Sequence, residues 1–101
     1  MSDLIELNFR NARKQAEVLE RLAQRLKTIS EREYEEDVET VCQCWKGENA
    51  EILVKKMRDF QKTLSKSARD LDRAGKTVCK IAKTSYDADR TAEAIARIFT
   101  G

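Results

Sequence analysis

The sequence predicts an all-α protein: an antiparallel two-helix hairpin, expected to pair into a four-helix bundle. Three observations lead there. Apolar and small residues recur in alternating steps of four and three along almost the whole chain. The composition is rich in Ala, Glu, Lys, Leu and Arg, with three glycines and no proline, so little interrupts a helix. The central punctuation, Trp45-Lys46-Gly47, lies near the middle of the 101 residues. That length suits one domain, residues 1–101, better than two.

The first helix is expected over about residues 4–44. Asp3 followed by Glu6 reads as a capping box, which places the start near Leu4. Its stripe runs through Ile5, Phe9, Ala12, Ala16, Leu19, Ala23 and Leu26. Val18, Leu22 and Ile29 widen that face beyond what a two-stranded coil needs. The register then slips, because Leu26, Ser30, Tyr34 and Val38 are spaced by fours. Such a stutter locally unwinds a supercoil. Ser30 with Glu33 repeats the capping-box spacing, but no glycine or proline accompanies it, so a continuous helix is expected.

The turn is expected at about 45–48. Gly47 suits the left-handed position that ends a helix, and Glu48 then favours the positive first turn of the next. The second helix is expected over about 49–99. Its stripe keeps the four-three alternation from Leu53, Met57 and Phe60 to Ile95 and Phe99. Leu64, Ser67, Leu71, Ala74, Val78, Ile81, Ser85, Ala88 and Ala92 form the candidate partner interface, since small residues on a seam let another helix come close. Gly75 lies beside that seam and serves the same approach. A short link makes the helices antiparallel neighbours, and an isolated hairpin leaves half of each apolar face in water. The acidic stretch 31–39 folds beside Lys55, Lys56, Arg58 and Lys62.

Several function classes find no support. Twenty basic and eighteen acidic residues leave a formal charge of +2, which argues against nucleic acid as a partner. The basic face of Lys62, Lys66, Arg69, Arg73, Lys76, Lys80 and Lys83 is diluted by Asp70 and Asp72. With no histidine, the commonest general base and metal ligand is missing. Cys42 and Cys44 point to different sides of a helix, and Cys79 falls far from both, so free thiols are expected. No catalytic residue, metal or cofactor is assigned; the chain does not read as an enzyme. It shows neither a cleavable signal peptide nor an apolar run long enough to span a bilayer. The expectation is synthesis in the cytoplasm without stable membrane insertion.

A helical chain of about this length with a Trp-X-Gly tripeptide at its interhelical turn resembles the Trp-X-Gly (WXG) family of type VII secretion proteins. These are relatives of the early secreted antigenic target of mycobacteria and occur widely in Gram-positive bacteria. The resemblance implies pairing, as homodimer or heterodimer, with another WXG-like helical protein or with the N-terminal helical domain of a larger toxin. It also implies export through a type VII secretion ATPase, without a cleaved leader. Trp45 and Gly47 carry over directly, with Trp45 either exposing part of its ring at the bundle end or plugging the turn. The family's C-terminal signal, Tyr-x-x-x-Asp/Glu, has its counterpart in Tyr86, but the fourth residue after it is Arg90. The nearest acid is Asp89, one position out of step, so the chain either carries the variant pair Tyr86 and Asp89 or travels with a partner that supplies the signal. Ile95, Ile98 and Phe99 are the candidate translocase contact by the same analogy, or else the last turn of the bundle core; Ile98 lies off the stripe. The competing expectation is an intracellular coiled-coil scaffold in which the Trp-Lys-Gly turn is coincidental.

Overall fold

The computed structural model describes residues 2–100. Among them, only residues 45–47 lie outside helices. The elements are α1 (Ser2–Thr28), a π turn (Ile29–Glu33), α2 (Tyr34–Cys44) and α3 (Glu48–Thr100). The chain divides into two compact units. Unit 1 joins Met1–Glu20 to Arg73–Gly101, and unit 2 is Arg21–Asp72. Each is a pair of antiparallel helical segments. In unit 1 Glu6 meets Arg90 and Ala16 meets Gly75; in unit 2 Ser30 meets Ser65 and Glu35 meets Arg58.

In unit 1 the helices touch through small residues. Ala16 is buried, and so is Gly75 opposite it. A Cβ at Gly75 would lie 2.9 Å from Glu20 Cγ, 3.0 Å from the Ala16 carbonyl oxygen and 3.4 Å from Leu19 Cβ. Glycine therefore allows backbone to approach backbone, which offsets its poor helix propensity. The close approach expected at Gly75 is thus used within the hairpin itself. In unit 2 the enclosed side chains are Ala23, Ser30, Val38, Ala50 and Ala68, again mostly small.

The stripe expected on the second helix is only half turned inward. Leu64, Leu71 and Val78 are half-buried, but Phe60, Ser67, Ala74, Ile81, Ser85, Ala88, Ala92, Ile95 and Phe99 are exposed. The inner column is its neighbour: Gln61, Ala68, Gly75 and Ala82, seven residues apart. The reason is steric. The column with the smallest side chains permits the closest contact, and the bulkier Phe60 and Ile81 are left outside.

The stutter resolves into the π turn. The Tyr34 N–H bonds the Ile29 carbonyl, one residue further back than in an α-helix, and so absorbs the extra residue without breaking the helix. Tertiary bonds from α3 hold it. The Gln61 Nε2 amide donates to the Ser30 carbonyl at 2.7 Å, and Ser30 Oγ lies 3.0 Å from Ser65 Oγ. The capping box expected at Asp3 and Glu6 does not form, and at Ser30 the helix runs on, as expected. Ser30 Oγ donates back to the Lys27 carbonyl at 3.1 Å within the helix. Glu6 is engaged across the hairpin instead, and α1 begins at Ser2.

Two substitutions test this packing by urea unfolding. Gly75→Ala adds about 1 kcal/mol of helix propensity but overpacks the contact by about 1–3 kcal/mol, so a net loss of stability is expected. A more stable variant would contradict the close approach. Gln61→Leu strands the Ser30 carbonyl and is expected to lower stability by about 1–3 kcal/mol.

Candidate functional site

The turn is built from helix-end chemistry. The Trp45 N–H still bonds the Val41 carbonyl at 2.9 Å, closing α2, while its own φ of −115° and ψ of 138° carry the chain out of the helix. Gly47 adopts φ 101°, a left-handed conformation that side chains oppose. Its carbonyl accepts the Glu51 N–H at 3.2 Å and opens α3. Trp45 is 58% exposed and borders a hollow of about 400 Å³ with Cys42, Lys46, Ala50 and Val54. A little over half of Trp45 is thus open to water at the turn. Cys42 and Cys44 are exposed free thiols, and Cys79 is half-buried.

In unit 2 the acidic stretch meets the basic one at a single ion pair among those resolved: Arg58 donates to Glu35. Gln61 Nε2 also donates to Glu35 at 2.9 Å, and its side-chain oxygen accepts from Arg58 at 3.1 Å. The bond from Arg58, then that from Gln61, holds the Glu35 carboxyl below its ordinary value. The same bond to Glu35 raises Arg58.

Tyr86 sits at the corresponding junction of unit 1. Its ring packs on Phe9 with centroids 4.7 Å apart, and its hydroxyl donates to Glu6 at 2.8 Å. The Arg90 guanidinium lies 5.1 Å from the Tyr86 ring centroid, reaches Glu6 at 2.5 Å and Glu93 at 3.3 Å. Arg97 also binds Glu93, at 3.1 Å. The Tyr86 hydroxyl thus meets Glu6 of α1, and Arg90, the fourth residue after Tyr86, joins the same carboxylate. Sequence reasoning places Glu6 in a helix cap and does not pair it with Tyr86. Its signal was positional: Glu6 and Tyr86 lie at nearly equal distances along the chain from Lys46-Gly47. The hydrogen bond from Tyr86, followed by that from Arg90, lowers the Glu6 pKa, and the bonds to Tyr86 and Glu6 raise Arg90.

Asp89 lies elsewhere. It borders a hollow of about 270 Å³ with Ile5, Phe9, Val78 and the Tyr86 ring, and a second of about 390 Å³ with Leu4, Ala92 and Ala96. Near the end of α3, Ile95 is half in water, while Ile98 and Phe99 are 77% and 84% exposed. Among the described residues no group of three or more His, Cys, Asp or Glu is placed to hold a metal ion, and no helix is long and apolar enough to cross a membrane. No family model, curated protein or solved structure matches the chain.

The Glu6 cluster has a definite pH signature. Its carboxyl is depressed on folding below the ordinary 4.5, so its contribution to stability is complete above that value. It is lost as pH falls through the lowered, folded value. Urea unfolding of wild type and Glu6→Gln is expected to differ at pH 7 and to converge under acid. A constant difference across pH would rule out this linkage.

Proposed function

We propose that the chain is a WXG-like partner or adaptor of a type VII secretion system, itself a substrate or co-exported with a larger toxin. One observation carries the reading: Trp-Lys-Gly forms the hinge of the hairpin and leaves its tryptophan mostly exposed. A lone turn tryptophan needs no exposure to close a hinge, whereas a recognition residue does.

The uncovered apolar residues agree with pairing into a four-helix bundle, as homodimer or heterodimer. Leu4, Leu7 and Ile81 in unit 1, and Leu22, Ile52 and Phe60 in unit 2, are about half exposed or more. Ile98 and Phe99 offer an apolar contact for the secretion ATPase. Tyr86, committed to Glu6 and Arg90, serves the hairpin first, which favours export alongside a partner that supplies the full C-terminal signal. A non-exported coiled-coil scaffold is the alternative.

Culture-supernatant proteomics separates the two. Export is expected in the parent strain and not when the secretion ATPase is deleted; extracellular protein that ignores the ATPase would remove the secretion role. Ala92→Leu, which places a larger side chain beside Leu4 and Asn8, is expected to weaken assembly several-fold when the mass of the protein purified from its host is measured by light scattering.

A further inference from the structure

Unit 1 gathers its charges into separate zones. Residues 10–16 and 73–86 hold seven basic side chains and no acidic one, whereas the acids of the unit fall within 3–6, 17–20 and 87–93. The formal charge of +2 averages over these zones and conceals them. Asp70 and Asp72, which dilute the basic face of the second helix, belong to unit 2. Two interhelical contacts fix where the basic zones meet: Glu6 with Tyr86, and Ala16 with Gly75. Arg10 and Lys83 lie four and three residues inward from the first contact, and Arg13 and Lys80 lie seven and six. The cations of the two helices are therefore level with each other. They also share a flank. Glu6, Arg10 and Arg13 follow one another at steps of four and three on α1, while Arg90 and Lys83 are seven apart on α3, with Lys80 three further back. Since Glu6 binds Arg90, both rows run along the side of that ion pair, where Arg10 acts on the Glu6 charge and Arg13 lies 5.9 Å from the Phe9 ring centroid. All four cations are exposed, and among the described residues Lys80 and Lys83 take part in no ion pair.

We propose that this flank of unit 1, through Arg10, Arg13, Lys80 and Lys83, binds the phosphate backbone of double-stranded nucleic acid without reading its sequence. The two cations of each helix span about 5 Å of its axis, and packed helices lie about 8–10 Å apart, so the four charges fall within about one Debye length of each other. Grouped in this way they repel one another, and a polyanion that bridges them relieves the repulsion. Phosphates recur at about 3.4 Å of axis along each strand of a duplex, which suits cations set in two close rows. Two other polyanions fit less well. An anionic membrane takes up helices that sink a broad apolar face beneath their cations. Ile81, the exposed apolar residue beside the α3 pair, lies about 100° round the helix from Lys80 and about 160° from Lys83, toward the hollow it lines with Ile5 and Ala12. A single strand is held by stacking its bases on open aromatic rings. Phe9 and Tyr86 are packed on each other with centroids 4.7 Å apart, and Arg13 and Arg90 lie against them. The flank offers charge alone, and a duplex backbone asks for nothing else.

Fluorescence anisotropy of a labelled, mixed-sequence DNA duplex titrated with the purified full chain tests this. Binding is expected at about 50 mM salt, and the logarithm of the affinity is expected to fall against that of salt with a slope of about −3 to −4, as four neutralised phosphates require. Lys80→Glu with Lys83→Glu is expected to weaken binding at least about tenfold. Lys80→Gln with Lys83→Gln is expected to lower the slope by about two, and it carries the test if circular dichroism shows that the reversed-charge variant does not fold. Lys55→Glu with Lys56→Glu, at exposed positions of unit 2, makes the same change in net charge and is expected to leave the affinity within about twofold. No binding at about 50 mM salt would overturn the proposal. Equal weakening by the pair in unit 2 would overturn it too, as a response to net charge alone. Retention on vesicles of phosphatidylserine and phosphatidylcholine at a salt concentration that releases the duplex would overturn it in favour of a membrane. The flank stands apart from the secretion reading, which fails only through ATPase-independent export.

Discussion

The hairpin depends on close contact between helix backbones, and small side chains make that contact possible. Gly75 lies directly against the Ala16 carbonyl, and the enclosed residues of both units are mainly alanines with Ser30 and Val38. Such a seam buries little apolar area per residue, and its stability comes from dense packing rather than bulk. It also selects which column of α3 faces inward, since only the smallest side chains fit between helices at that separation.

The rest of the surface follows from this choice. With small residues inside, large ones such as Phe60, Ile81 and Phe99 remain outside. In each unit one ion-paired cluster reinforces the contact: Glu35 with Arg58 and Gln61, and Glu6 with Tyr86 and Arg90. Both carboxylates are held below their ordinary pKa by the hydrogen bonds they accept, so both clusters favour the folded state near neutral pH. In unit 1 Tyr86 and Glu93 belong to the cluster and also border the two hollows at Asp89.

The π turn reconciles two registers. The first arm carries a four-residue spacing that an uninterrupted α-helix cannot keep facing a single partner. A turn that holds one more residue restores the alignment, and Gln61 and Ser65 satisfy the polar groups of Ser30 within the contact. Ser30, fully enclosed, is therefore a structural polar residue rather than a helix cap.

The sequence by itself determined the helical class, the position of the hinge and the inner stripe of α1, because these rest on local periodicity and on the conformational freedom of glycine at Gly47. The stutter at Leu26 to Val38 was legible as a register slip, although its conversion to a π turn was not. What only the tertiary structure decided was which of two adjacent columns of α3 faces inward, and which acid meets Tyr86. Both answers depend on residues remote in sequence. Ala16 opposite Gly75 sets how near the helices come, and Glu6 takes the bonds of Tyr86 and Arg90 from the facing helix. Periodicity marks an apolar face to within about one residue, or about 100° of helix rotation, and side-chain size across the contact settles the remainder.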